Sequence, residues 1–352
     1  MENYFLVEKK QSVDEAMKSN ILKNVIEEIK TNTRKLSSEG EEKTTGQKAK
    51  GESLNLAELT FFNSYGSQIT MTTIGSSSAQ HQNEKNKVIF VMGATATGKS
   101  KLSIDLATKF HGEVINSDKI QVFKGLDIIT NKVTEEEARG VPHHLIGIVD
   151  PEEDFTVDDF CHHVLKAIDT ISKNGHIPII AGGSNSYLEK LVEDPSIKFR
   201  EYFDCCFIWV DASLPVLYER VGKRVDEMVM NGLVEEVRAV FVPGADYTRG
   251  IKRAIGAPEM EDYFLVENNI KVDEATKTKI LANAFEEIKI NTGKLVDSQL
   301  RKIHLLRDEL GWKMHRIDAT SVHEKHGKDA EDTWKDVVLK KSLEIVGNFL
   351  KQ

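Results

Sequence analysis

The chain has 352 residues, 40% of them hydrophobic and 29% charged, as in soluble globular proteins, and is long enough for one large domain or two modest ones. A net charge of −9 argues against a general nucleic-acid binder, and no run approaches the roughly 18 apolar residues of a membrane span. Cys161, Cys205 and Cys206 form no Cys-x-x-Cys pair and no zinc spacing, so they read as free thiols in a reducing compartment.

The first residues are rich in Glu and Lys, unlike a signal peptide or an acid-poor transit peptide. Residues 1–40 read as a duplicated helical segment, a copy of 260–299. Met1-Glu2-Asn3-Tyr4-Phe5-Leu6-Val7-Glu8 recurs as Met260-Glu261-Asp262-Tyr263-Phe264-Leu265-Val266-Glu267, and the match runs without a gap to Lys35-Leu36 against Lys294-Leu295. Both copies carry helical spacing, at Val13, Ala16, Ile21, Val25 and Ile29 and again at Val272, Ala275, Ile280, Ala284 and Ile288. Two copies do not make a solenoid. The plain reading is an added surface helix without chemistry; the sharper one is competition with the second copy for its docking site. Residues 41–86 are polar and read as a disordered linker, within which 66–82 are Ser/Thr-rich and acid-free, a weak trace of a plastid address.

From residue 87 short apolar runs alternate with amphipathic ones. Strands are expected at 87–92, 113–118, 176–183, 206–211 and 314–317, with a short apolar run at 146–150. Helices are expected over 102–110, 156–173, from 186, 214–242, 272–311 and 329–350. Parallel strands joined by helices imply a doubly wound sheet, with ligands at the carboxyl ends of the strands.

Between the first of these strands and its helix stands Gly93-Ala94-Thr95-Ala96-Thr97-Gly98-Lys99-Ser100, the phosphate-binding Gly-x-x-x-x-Gly-Lys-Ser in its required context. Glycines let the backbone fold around an anion, the helix N-terminus adds partial positive charge, Lys99 a full one, and the Ser100 hydroxyl can ligate Mg²⁺. Asp118 and Gly182-Gly183 close other strands and should meet the loop in one crevice. There Asp118 would ligate Mg²⁺, act as a general base or simply cap the next turn. Arg249, Lys252 and Arg253 form one basic cluster and Arg220, Lys223 and Arg224 another; either would clamp a polyphosphate if it faces the crevice, and is otherwise a solvated face. His143-His144 and His162-His163 lack a third ligand at metal spacing.

These motifs resemble the plant adenylate isopentenyltransferases, cytokinin-synthesis enzymes related to tRNA dimethylallyltransferases. The likeness rests on the loop 93–100, on 116–132, on Gly-Val-Pro-His-His-Leu (140–145), on Ala-Gly-Gly-Ser-Asn-Ser-Tyr (181–187) and on Arg-Ala-Ile-Gly-Ala-Pro-Glu (253–259), and it leaves out the N-terminal quarter. The resemblance implies a P-loop NTPase-like α/β domain over 87–352, a doubly wound parallel sheet with an added helical region over about 214–311. It implies transfer of a dimethylallyl group from dimethylallyl diphosphate to N6 of ATP or ADP, with AMP a further candidate acceptor. The loop Gly93–Ser100 would hold the diphosphate through Thr95, Lys99 and Ser100, with Mg²⁺ assisting. Asp118 matches the general base, Arg253 an arginine that stabilises the departing diphosphate, and Arg224 another basic position of the family. No nucleic-acid or membrane partner is implied, and the compartment reads as plastid or cytoplasm. Ala96 stands where plant members commonly have Gly, and Phe123 where they commonly have Tyr, departures that bear on rate without abolishing activity. The tRNA enzymes carry a large helical insertion after the Gly-Gly motif, for which the short span from Gly183 to Cys206 leaves no room. The rival readings are a tRNA dimethylallyltransferase and a P-loop phosphotransferase of nucleoside- or nucleotide-kinase type, which would cleave ATP and turn Asp118 on a hydroxyl.

Overall fold

The structure, a computed structural model, describes residues 85–352 throughout and the backbone of two strands before them, Leu56–Phe62 (β1) and Gln68–Ile74 (β2). Contacts divide the chain into Met1–Asn55 and Leu56–Gln352. The first copy of the repeat lies outside the described residues. β1 and β2 pair antiparallel, from Leu56 opposite Ile74 to Phe62 opposite Gln68. The linker expected over 41–86 therefore contains a strand ribbon. Its Thr, Ile and Phe content favours extended backbone, a preference that the polar composition around it hides.

The main sheet has six parallel strands: Asn86–Met92 (β3), Gly112–Asn116 (β4), His143–His144 (β5), Ile177–Ala181 (β6), Phe203–Asp211 (β7) and Met314–Asp318 (β8). Their order is β5-β4-β6-β3-β7-β8. The chain runs from β3 outward to one edge, returns through β6, and crosses to β7 on the other side. The carboxyl end of β3 is thus the switch point at which a doubly wound sheet opens a crevice.

β3 is apolar along its length because both of its faces are covered. Val88, Phe90 and Met92 enter one core; Ile89 and Val91 enter the other. On the second face lies helix Lys99–Phe110 (α1), which buries Leu102, Leu106 and Ala107, together with the C-terminal helix Lys340–Lys351 (α7). The first face is covered by Val157–Lys173 (α2), whose Phe160, Val164, Ile168 and Ile171 form its inward stripe, and by Asn185–Glu193 (α3). A capping box at Thr156 starts α2. The added helical region contains Leu214–Met230 (α4), Leu233–Val240 (α5) and the 35-residue Glu274–Asp308 (α6).

Several expected elements shift. The second strand stops at Asn116, so Asp118 stands on the loop beyond it. Residues 146–150 form no strand; Val149 makes a single parallel bridge with Phe123, and the pairing beside β4 belongs to the polar His143-His144, which apolar periodicity cannot find. Arg253 ends a 3₁₀ turn, Gly250–Arg253, rather than lying in a longer helix. The closing helix is interrupted by a π turn at Trp334–Leu339.

Phe90 is fully buried, with its ring 4.7 Å from that of Phe207 and 6.0 Å from that of Phe199. Phe90→Ala is expected to cost about 3–5 kcal/mol, read as a lower urea midpoint at unchanged slope; a loss under about 1 kcal/mol would contradict this packing.

Candidate active site

The loop leaves β3 at Gly93, where a side chain is excluded: an added Cβ would lie 2.3 Å from the Val210 carbonyl oxygen of β7. Gly98, at φ +97°, caps the start of α1, and a Cβ there would lie 2.8 Å from the Trp334 ring. Ala96 sits at φ +68° without being glycine. That is the position at which glycine is the commoner residue of the resembled family, and the left-handed backbone supplies a physical reason for it. Inside the loop the buried Thr97 hydroxyl donates to Ala94 O at 2.9 Å. No acidic side chain occupies the first turn of α1, so the positive end of the helix is not offset there.

Around this loop the structure gathers cations. Lys99 Nζ donates to Ala94 O at 2.6 Å. Burial, and then the neighbouring Arg224 charge, push the Lys99 ammonium from its ordinary 10.5 down to about 7, with Asp118 pulling the other way. Arg220 and Arg224, one turn apart on α4, reach the loop together: Arg220 Nε donates to Ala96 O at 3.0 Å and Arg224 Nη1 to Thr95 Oγ1 at 2.9 Å. Lys223, between them, turns away to Glu219 at 2.6 Å. His323 Nε2 lies 3.2 Å from Thr97 O; burial and the two arginines push this imidazole down to about 4, so at neutral pH it donates uncharged. Two loop carbonyls, Ala96 O and Thr97 O, are thereby occupied by donors from elsewhere. The Arg220 contact was legible in the sequence only as membership of a basic cluster, and the His323 contact not at all.

Asp118 stands on the loop after β4. Its N–H donates to Asn116 Oδ1 at 2.9 Å, while Asn116 Nδ2 donates to Asp118 O and Leu145 O. Asp118 Oδ1 accepts from Ile120 N–H at 2.9 Å, the short-range capping geometry expected as the plain alternative. Among the described residues no hydrogen bond occupies Oδ2, and the carboxylate lies close enough to Lys99 for its charge to act on that ammonium. Loop, Lys99, Arg224 and Asp118 are therefore brought together.

Arg253 is placed differently. Its guanidinium lies over the Phe123 ring at 5.6 Å, and its buried Nε has no hydrogen-bond partner among the described residues. The rest of that basic cluster points outward, Arg249 to Asp154 at 2.6 Å and Lys252 to Glu152 at 3.0 Å. Of the four histidines in the two pairs, His143, His144 and His163 have local hydrogen-bond partners, whereas the buried His162 Nδ1 has none among the described residues. His144 and His176 both donate to Glu113, each at 2.6 Å, near the start of β4, and His163 Nδ1 lies 2.8 Å from Asp159 O. Among the described residues no group of three or more His, Cys, Asp or Glu is arranged for a metal ion. The exposed Ser100 side chain stands at the loop's end. A lone hydroxyl suits Mg²⁺, which keeps most of its shell as water and phosphate oxygens.

The family model described as IPP transferase matches residues 121–201 and 193–303. Adenylate isopentenyltransferase 5, chloroplastic, of Arabidopsis thaliana is 52% identical over 268 residues, covering 76% of this chain and 81% of that protein. Adenylate isopentenyltransferase 7, mitochondrial, of the same plant is 52% identical over 267 residues, covering 75% and 80%. Among solved structures, a eukaryotic dimethylallyltransferase acting on tRNA superposes with a TM-score of 0.63 at 25% identity, over 76% of this chain and 80% of that one.

Gly98→Ala is expected to weaken binding of inorganic pyrophosphate at least tenfold in calorimetry, because the new methyl meets Trp334 at the mouth of the loop. Gly311→Ala is the control. It has the same sign of φ, +68°, with nothing within 4 Å, so it should cost only backbone strain of about 1–2 kcal/mol and leave binding intact. Equal binding by the two variants would refute the role given to Gly98.

Proposed function

Because this chain belongs to the IPP transferase family, we propose that it transfers the dimethylallyl group of dimethylallyl diphosphate to N6 of ATP or ADP, releasing diphosphate, as a step of cytokinin biosynthesis. The observation that carries the reading is one crevice holding both a cationic phosphate loop and a carboxylate with a free oxygen, Asp118, acting on the loop's lysine.

The roles follow from charge. The loop amides, the start of α1, Lys99 and Arg224 grip the donor's diphosphate, where negative charge grows as the C1–O bond breaks. N6 of adenine is a weak nucleophile; it forms its bond to C1 as Asp118 Oδ2 takes the proton that nitrogen loses. Placement of the two substrates side by side supplies much of the rate. Arg253, with an unpartnered Nε, is held in reserve for the departing diphosphate. Mg²⁺, held by Ser100 and the diphosphate oxygens, would neutralise part of that charge.

A nucleotide acceptor is favoured over tRNA by the span between Gly183 and β7. Within it lie only α3 and the single turn Phe199–Tyr202, with no insertion to embrace an RNA stem. The net charge of −9 points the same way. Among the described residues no helix is long and apolar enough to cross a membrane. The relatives named above are chloroplastic and mitochondrial, which supports an organellar location over the cytoplasm.

Incubation with ATP, dimethylallyl diphosphate and Mg²⁺ should yield pyrophosphate and a C5 adduct on adenine by mass. ADP released without an adduct would favour the phosphotransferase reading, and an adduct on RNA alone the tRNA reading. Asp118→Ala should lower kcat about 10²–10⁴-fold while pyrophosphate affinity stays within about threefold. Normal turnover in that variant would remove Asp118 from the role of base.

A further inference from the structure

α6 buries a stripe along its last three turns: Val296, Gln299, Ile303 and Leu306. Gln299 is the exception in chemistry, a carboxamide only 8% exposed at a position where its neighbours are fully buried and apolar. Burying such a group is costly unless its hydrogen bonds are made. Here they are made to two separate parts of the crevice. Gln299 Oε1 accepts from the Thr95 N–H of the phosphate loop at 2.7 Å, and Gln299 Nε2 donates to Gly183 O at 3.2 Å. Asn185 Nδ2 donates to the Gln299 carbonyl at 3.2 Å, which fixes the helix against the same turn. Gly183 is shaped around this amide: an added Cβ would lie 2.2 Å from Gln299 Nε2.

The Gly182–Ser184 turn in turn clasps both flanks of Asp118. Ser184 N–H donates to Ser117 O, and Lys119 N–H donates to Ser184 Oγ, both at 3.0 Å. Gly182 closes on Ser117 so tightly that a Cβ would lie 2.4 Å from its carbonyl carbon. A single side chain thus links the loop that would hold the donor to the turn that clasps the residues on either side of the base.

We propose that Gln299 is a positioning residue that sets the separation between the phosphate loop and Asp118, and so the alignment of diphosphate, C1 and N6 in the prenyl transfer put forward above. It hydrogen-bonds to neither Lys99 nor Asp118 and moves no proton. Its two ends are not interchangeable: the loop needs an acceptor and the turn needs a donor, so only a carboxamide of this length serves both. Glutamate keeps the acceptor for Thr95 but loses the donor and adds negative charge beside the cradle. Methionine keeps the volume and loses both bonds.

The test uses the full chain with Gln299→Met and Gln299→Glu. In Gln299→Met, kcat should fall about 10–100-fold with pyrophosphate affinity within about threefold of wild type, the signature of misplacement rather than lost binding. Hydrogen exchange at the Thr95 amide should accelerate while β3 amides stay protected. In Gln299→Glu, kcat should fall as well, Thr95 should stay protected, and pyrophosphate should bind more weakly. Should Gln299→Met fail to fold, the Glu variant carries the test, and a wild-type kcat in it would overturn the proposal. So would a Met variant with wild-type kcat, or one whose whole loss is in pyrophosphate affinity. The exchange readout needs no turnover. If the wild type makes no adenine adduct the prenyl-transfer reading fails, while unchanged Thr95 exchange in Gln299→Met would separately overturn the bridge.

Discussion

The fold holds Lys99 and Arg224 side by side at the carboxyl end of β3, with the charge of each partly out of water. Like charges brought together in that way oppose the folded state. The unfolded Lys99 keeps its proton up to about 10.5 while the folded one gives it up near 7, so between those values the unfolded chain binds more protons and stability rises with pH. A protein that carries such a cost at a strand end has organised a place for an anion in advance, and preorganised charge of this kind stabilises an anionic leaving group without rearrangement during the reaction. Asp118 is the acid that acts against the repulsion; its position beyond β4 leaves it close to the lysine and, among the described residues, with one oxygen free of hydrogen bonds.

The rest of the molecule holds this arrangement still. β3 is buried on both faces and presents the loop from a rigid strand. α4 delivers Arg220 and Arg224 on one face to loop atoms, the π turn of the C-terminal region puts Trp334 against Gly98, and α6 brings Gln299 between loop and turn. Contributors to the crevice thus come from residues 93–100, 117–118, 182–185, 220–224, 299, 323 and 334. The helices after β7 supply residues to the site as well as covering the sheet.

Much of the scaffold was legible in the sequence because its signals are local. The apolar runs of β3 and β7, the Gly-x-x-x-x-Gly-Lys-Ser turn and the stripe of α2 each lie within one short window. Asp118 and Arg224 were found through motif and resemblance, and the structure brings them to the loop. Arg253 joined the candidates as a member of a basic cluster and by resemblance; the structure seats it over Phe123 and gives it no hydrogen bond to the loop among the described residues. What escaped was long-range or weakly patterned. Gln299 is a polar residue in an amphipathic helix, 204 positions from its partner Thr95, and nothing local marks it as buried. His143-His144 pairs as a strand through its backbone while its side chains look like loop or metal chemistry. The β1–β2 ribbon hides in a polar stretch because strand preference and low hydrophobicity coexist there.

In the free fold the Lys99 ammonium holds its proton only in part at neutral pH, and a bound anion restores its full charge. Titration of Lys99 by NMR of the labelled side chain, with and without pyrophosphate, addresses it directly. A midpoint of about 7 is expected in the free protein, moving back toward the ordinary 10.5 when pyrophosphate is bound. A free-protein midpoint at the ordinary value of 10.5, unmoved by pyrophosphate, would contradict it.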